Sequence, residues 1–406
     1  MDACVPSSQN CPPSGASILG ELAVYCGDGQ ATRVEDRGGV PFFFNAFWTA
    51  RQRQNHPLHE VSYRACFKPQ LPAFFIERLT APGDLVHDPF MGRGTTPLQA
   101  VIMGRRAVGS DINPLSLMLA RPRLMPPKLG EIEARLASID LKGPPPAADD
   151  DLLVFFHPQT LAEISALRAY LQRRDAGGRL DPVDDWIRMV ALGRLTGHSP
   201  GFFSVYTLPP NQAASVTAQK RINQRLGQVP PLRSAPELIL RKSEALLRKG
   251  APRRGRVRLY TATAERTPSV ATASVDLVVT SPPFLDVVNY EADNWLRAWF
   301  AGLDGSCPRV AHHHSLADWS AFVRRALVEL ARVVRPGGHV AFEVGEVRGG
   351  RLALEPLVLA AIQGLPFQAL CVVVNTQTFT KTANCWGVGN NAKGTNSNRI
   401  VLVRRV

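Results

Sequence analysis

The stretch Asp88-Pro89-Phe90-Met91-Gly92-Arg93-Gly94-Thr95-Thr96 (88–96) decides how this chain is read. A short strand pattern, Leu85-Val86-His87, runs into it, and a helical pattern, PLQAVIMG, leaves it. Without a Cβ, Gly92 and Gly94 let backbone amides approach a ligand closely. The helix N-terminus behind them favours a polar or negatively charged group. Asp88 is placed to accept from a ligand ammonium or hydroxyl, with Pro89, Phe90 and Thr95 beside it. An ordinary tight strand-to-helix turn is the plainer alternative. No Lys-Ser/Thr follows the glycines, which argues against a phosphate-binding P-loop.

Outward from this turn the same rhythm repeats. RAVGSDINPLSLMLA (106–120) reads as strand, acidic turn and helix. Asp111, with Asn113 two residues on, falls about twenty residues after the glycine loop. There a doubly wound nucleotide site sets a carboxylate against ribose hydroxyls. Capping of the following helix is the competing role for Asp111. Upstream, FKPQLPAFFIERLT (67–80) has helical spacing at Leu71, Phe74, Phe75 and Leu79. Residues 1–40, rich in Gly, Pro and Ser, predict a loosely packed arm.

The strand rhythm breaks at about 121. Residues 121–260 read as mainly helical, with LKGPPPAADDD (141–151) a linker and helices predicted over 158–174 and 236–250. Strands return at SVDLVVTSPPF (274–284), after RPGGH (335–339), at FQALCVVVNTQTF (367–379) and at SNRIVLVRRV (397–406). A helix is predicted at about 316–334. The fold class is α/β, a doubly wound sheet interrupted by a helical insert.

One strand ends abruptly in Ser281-Pro282-Pro283-Phe284. Prolines cannot donate to a ladder, so this turn presents a hydroxyl and carbonyls as acceptors, with an aromatic face beside them. Such a set suits a planar heterocycle bearing an amino group. A proline-terminated strand with a core Phe is the alternative for this element taken alone.

Composition narrows the partners. Lys and Arg total 47 against 34 Asp and Glu, a formal charge of +13 and a pI near 9.8, which favours a polyanion. No apolar run approaches the roughly 18 residues of a membrane span, and the N-terminus has no signal-peptide pattern. Seven scattered cysteines without a CxxC pair point to reduced thiols in a cytoplasmic protein. The run His312-His313-His314 lacks a second ligand cluster, so no metal is expected.

Together DPFMGRGTT and TSPPF resemble the motifs of the DNA amino-methyltransferases, DPFxGxGTT and TSPPY, with Phe284 in place of Tyr. The likeness covers roughly 60–120 and 260–406, including RVVRPGGHVAFEVGE. It implies a seven-stranded class I methyltransferase sheet, with a catalytic domain over 41–120 and 260–406 and a DNA-recognition insert over 121–259. It implies S-adenosylmethionine as cofactor. Asp88, Phe90, Gly92 and Gly94 would cradle its methionyl part, Phe67, Lys68 and Pro69 would border that end, and Asp111 would bind its ribose. Ser281 and the Pro282 carbonyl would hold the target amino group, and Phe284 would stack on the flipped base. Within the family Ser before Pro-Pro leans toward N4 of cytosine, Asp or Asn toward N6 of adenine. No Pro-Cys nucleophile is present for methylation at carbon 5.

The resemblance also implies a partner, double-stranded DNA of a bacterial or phage host; a companion restriction endonuclease is left open by the sequence. From Lys220 to Arg258 twelve cations (220, 221, 225, 233, 241, 242, 248, 249, 253, 254, 256, 258) face two acids, Glu237 and Glu244. Lys220, Arg221, Arg225, Arg253 and Arg254 are the expected phosphate contacts, a solvated helix face the alternative. His198, Tyr206, Asn211 and Gln212 are candidates for base contacts, and 384–399 for a loop over the site. Cytosine N4 is the expected target; adenine N6 by the same mechanism is the nearest rival, and RNA or a protein glutamine amide are further rival substrates. A non-catalytic nucleic-acid-binding protein on the same fold is the rival of another class.

Overall fold

A computed structural model describes residues 15–27, 29–48, 55–64, 66–148, 150–210, 212–252, 255–285, 290–303, 315–348, 351–376 and 397–406. Helix α1 (Gly15–Val24) and the short pair β1 (Cys26–Gly27) and β2 (Gln30–Ala31) lead into β3 (Arg33–Arg37) and β4 (Val40–Asn45). Then come α2 (Gln70–Leu79), β5 (Leu85–Asp88), α3 (Thr95–Ile102), β6 (Arg106–Asp111) and α4 (Pro114–Leu124). The insert holds α5 (Leu129–Ser138), α6 (Pro158–Ala176), α7 (Pro182–Leu192), α8 (Val216–Leu226) and α9 (Ala235–Leu247). The chain returns through β7 (Val257–Thr261), β8 (Val275–Thr280), α10 (Tyr290–Ala301), α11 (Leu316–Val333) and β9 (Val334–Val344). A two-residue pair, β10 (Glu346–Val347) and β11 (Leu352–Ala353), precedes α12 (Glu355–Ala361), β12 (Phe367–Thr376) and β13 (Ser397–Arg405).

Nine strands form one sheet in the order β3-β4-β12-β13-β9-β8-β5-β6-β7. Neighbours run parallel from β9 to β7, β13 is antiparallel to both β9 and β12, and β4 is parallel to β12. β8 shows why its sequence is apolar throughout. Leu277 and Val279 enter one hydrophobic cluster, Val275 and Val278 the other, so both faces of the strand are buried.

Two expectations need correction. Residues 15–40 are not a loose arm: Ile18 and Leu22 of α1 are buried in the core, and β3 and β4 extend the expected seven strands to nine. The sheet also resumes before 260, because β7 pairs in parallel with β6 through Val257 to Thr261. Cys26, Cys66 and Cys371 are free thiols. No helix among the described residues is long and apolar enough to cross a membrane.

Candidate active site

The winding of the sheet reverses between β5 and β8, where doubly wound folds hold their ligands at the carboxyl ends of the strands. A cavity of about 300 Å³ opens there, with Asp111 and Asn113 on one wall and Ser281 and Pro283 on another. Phe90 and Phe322 share its lining, their ring centroids 5.6 Å apart.

The glycine loop is shaped by its own hydrogen bonds. Met91 N donates to Ser110 O at 3.1 Å and Gly94 N to Met91 O at 2.6 Å, while Gly92 N donates to Asp111 Oδ2 at 2.8 Å. These three amides are therefore turned inward and not toward a ligand. Gly92 and Gly94 are needed for backbone shape, with φ of 49° and 78°. Gly94 does not line the cavity; a Cβ on it would sit 2.6 Å from Ala120 Cβ in α4. Gly94→Ala should thus destabilise the protein by about 2–4 kcal/mol, from left-handed backbone strain plus overpacking. Urea unfolding measures this, and a loss below about 0.5 kcal/mol would contradict the geometry.

Asp111 lines the cavity and accepts from two amides, Gly92 N at Oδ2 and Asn113 N at Oδ1, both at 2.8 Å. It is not the cap of α4. That role falls to Asn113, whose Oδ1 accepts from Leu115 N at 3.0 Å and whose Nδ2 donates to Tyr63 Oη at 3.3 Å. Burial raises the Asp111 carboxyl, against the opposing pull of these amides and of the Ser116 hydroxyl.

Asp88, expected at the ligand, lies beneath it. It is 1% exposed, accepts from Thr280 Oγ1 at 2.6 Å and from Phe90 N at 3.1 Å, and so ties β8 to β5. Burial, only partly offset by Thr280, Phe90 and Thr96, lifts its pKa to about 7. Pro89, Phe90 and Thr95 do reach the cavity wall. Lys68 does not; it is half-buried, with its pKa lowered by burial and by Arg93, while its neighbour Phe67 lines the wall.

Two guanidiniums fix the segment over the loop. Arg93 donates to Val61 O at 2.6 Å, Phe67 O at 3.4 Å and Thr95 Oγ1 at 3.2 Å. Arg123 donates to Leu58 O at 3.0 Å and to the carbonyl of Arg93. Burial, then Arg93, pulls the Arg123 pKa down to about 9. No carboxylate pairs with either among the described residues, so the loop stands over uncompensated positive charge.

At the Ser281–Phe284 turn, Ser281 and Pro283 line the cavity. Trp319 Nε1 donates to Pro283 O at 2.9 Å and takes up one lone pair of that carbonyl, while the Pro282 carbonyl has no partner among the described residues. Pro282 itself is buried. Phe284 is half-buried against the second hydrophobic cluster and does not line this cavity.

The sequence reading missed Glu343. It lies next to last in β9, 4% exposed, beside the Ser281 hydroxyl and accepting from Asn398 Nδ2 at 2.7 Å. Burial raises its carboxyl to about 7 against the opposing pull of Ser281 and Asn398. A charged residue in the apolar strand VAFEV was the signal available in the sequence.

The remaining expectations divide. Arg64 on the cavity wall pairs with Asp293 at 3.0 Å and also donates to Gln212 Oε1, so Gln212 touches the site from the insert. Lys220, Arg221 and Arg225 are exposed on α8. Tyr206 supplies its carbonyl to Gln219 and Gln228, and His198 packs on Phe202. Asn211, Arg253, Arg254 and His312–His314 lie outside the described residues, as does 384–396 of the expected loop; Asn398 and Arg399 belong to β13. Among the described residues no group of acidic, His or Cys side chains could hold a metal ion.

The strand order and the cavity at the reversal of the sheet define a class I methyltransferase fold. A family model described as DNA methylase matches residues 33–120, the stretch that carries the glycine loop and Asp111. Among curated relatives, type II methyltransferase M.MjaII of Methanocaldococcus jannaschii is 39% identical over 74 residues, 18% of this chain and 14% of that protein. Type II methyltransferase M2.DpnII of Streptococcus pneumoniae is 42% identical over 59 residues, 14% of this chain and 22% of that one. Each match thus spans less than a quarter of the relative's length. Among solved structures, a geranyl diphosphate methyltransferase in complex with SAM aligns with a TM-score of 0.34 at 10% identity, covering 84% of this chain and 86% of that one. The fold class rests on the strand order itself.

Proposed function

We propose that this protein transfers a methyl group from S-adenosylmethionine to the exocyclic amino group of a base in double-stranded DNA, and that the base is cytosine, modified at N4. The observation that carries the reading is the Ser281 hydroxyl on the cavity wall, backed by the buried Glu343 carboxyl.

The residues present fit the cofactor. Asp111 offers carboxylate oxygens to the ribose hydroxyls, Phe90 and Phe322 an apolar surface, and the charge of Arg93 and Arg123 under the loop suits the methionyl carboxylate. When bound, the cofactor supplies an electrophilic methyl on a sulfonium. The protein's part is to bring a weak nucleophile to it. The lone pair of an exocyclic amine is delocalised into its ring, so acceptors on its two protons help free it for in-line attack. The Pro282 carbonyl and Ser281 Oγ are those acceptors. Ser281 in turn donates to Glu343, which takes up the proton released from the nitrogen as the new bond forms. A carboxyl with a pKa of about 7 is near the best value for that exchange. Phe284, which closes the turn, would stack on the flipped base once the base displaces it from its packing.

The base is chosen on Ser281, because Ser before Pro-Pro leans toward N4 of cytosine in the DNA amino-methyltransferases that the motifs resemble. Incubation of the protein with duplex DNA and methyl-labelled cofactor, followed by nucleoside mass spectrometry, should place the label in N4-methylcytosine. Label confined to N6-methyladenine would overturn the choice of base, and no cofactor binding by calorimetry would overturn the enzyme reading.

A further inference from the structure

Helix α8 buries one side chain along its whole length, Gln219. Val216 and Ala218 of its first turn touch the core, and the rest of the helix is held to the insert by polar groups. Gln219 Nε2 donates to Tyr206 O at 3.0 Å, Asn223 Nδ2 to Val154 O at 2.7 Å, and just beyond the helix Gln228 Nε2 donates to Tyr206 O at 2.8 Å. A helix fastened this way adds little to the core, so its outer face needs another explanation. That face carries Thr217, Lys220, Arg221, Gln224 and Arg225, the i, i+3, i+4, i+7, i+8 stripe of one side of a helix, all exposed. No acid lies on α8. Among the described residues the acid that reaches it is Asp151, which pairs with Lys220 at 3.4 Å, a long and exposed contact of little strength.

The helix ends in an apolar tip. Gly227, with φ of 57°, turns the chain, and Leu226, Val229 and Leu232 stand 49%, 81% and 56% exposed around Pro230 and Pro231. A solvated charged face accounts for cations; it does not account for three apolar side chains held out by a stiff Pro-Pro segment beside them.

The root of α8 is fastened to the site. Gln212 bonds to Arg64 on the cavity wall, Ala213 N donates to Asp293 O at 3.0 Å, and Trp295 Nε1 donates to Ala214 O at 3.1 Å. Asp293 and Trp295 belong to α10, the helix that follows the Ser281–Phe284 turn. Eleven residues of helix from there carry the tip about 16 Å away, a span on the scale of a groove of duplex DNA.

We propose that α8 is the recognition helix of the protein: its stripe enters the major groove of double-stranded DNA, and the apolar tip packs against sugar and base-edge carbon at the rim. The cations select a polyanion over a second copy of this strongly basic chain or a neutral protein surface. Lys220 and Arg225 contact phosphates; Arg221 and Gln224, at the centre of the stripe, reach base edges. This rests on DNA being the substrate.

The test uses the full chain with Lys220→Ala/Arg225→Ala, Gln224→Ala and Val229→Asp, each measured for cofactor affinity, duplex affinity across salt, and sedimentation. The double variant should bind duplex at least tenfold more weakly at about 0.15 M salt, with a salt slope smaller by about two, one per lost phosphate contact. Val229→Asp should lose a comparable factor, and Gln224→Ala should change the preferred sequence more than the affinity. Cofactor affinity should stay within twofold in all three. A wild type that methylates DNA, with all three variants unchanged in duplex binding, would overturn the role of α8 and leave the enzyme reading standing. So would a wild-type dimer that Val229→Asp splits without loss of DNA binding. A wild type that binds cofactor and no duplex would overturn both readings.

Discussion

Glu343→Gln should lower single-turnover methyl transfer at pH 8 by about 10²- to 10⁴-fold, the range a positioned general base contributes, with cofactor affinity unchanged. Glu343 sits behind Ser281 and does not line the cavity, so its loss removes the proton's destination and leaves the cofactor walls intact. The wild-type rate should follow the carboxylate. Burial raises this group to about 7, and its ionised form is the acceptor, so the rate should climb with pH through that region and level off above it. Glutamine does not titrate, so the variant's profile should be flat there. Ser281→Ala should fall by a similar factor, and the double variant little further, because the two groups act as one relay. A Glu343→Gln enzyme that keeps the wild-type rise through pH 7 would assign the titration elsewhere, for example to Asp88, which burial also lifts to about 7. Asp88→Asn separates these, since the Asp88 carboxyl braces β5 and β8 through Thr280 and has no bond to Ser281.

What the sequence made legible was the part of the site that is local in the chain. The glycine loop, Asp111 and Ser281-Pro282-Pro283 are short motifs whose backbone chemistry is visible as residue type. The structure brings them to one cavity across almost two hundred residues because β5, β6 and β8 are neighbours in the sheet. Roles that depend on tertiary partners were hidden. Asp88 and Asp111 both end strands and look alike in sequence; only the pairing with Thr280 puts one under the cavity while the other faces it. Glu343 reads as one charged residue within a strand until β8 brings Ser281 beside it. β7 was missed because Val257-Arg258-Leu259-Tyr260-Thr261 is an edge strand with one exposed cation, Arg258, which continues the charge pattern of the insert. The terminal strands β3 and β4 were missed for the opposite reason: their glycine-rich surroundings suggested a loose arm, whereas Phe42 and Phe43 pack into the two clusters on opposite faces of the sheet.

Asp111→Asn should weaken cofactor binding by about 10²-fold, the equivalent of two charge-assisted hydrogen bonds at about 1.5 kcal/mol each. The carboxylate has two tasks that compete for its oxygens. Each oxygen already accepts one backbone amide, from Gly92 and from Asn113, and each has a second lone pair that a ribose hydroxyl can use. An asparagine in the same place must set its NH₂ against one of those amides, donor facing donor, so the turn loosens at either Gly92 or Asn113. Calorimetry measures the loss of affinity. The division between the two tasks comes from a cofactor analogue lacking the ribose hydroxyls. If Asp111 holds the ribose, the variant's disadvantage should shrink toward zero against that analogue, because the bonds in question are absent in both proteins. If Asp111 only braces the glycine loop, wild type and variant should differ by the same factor for both ligands, and the ribose assignment would be wrong.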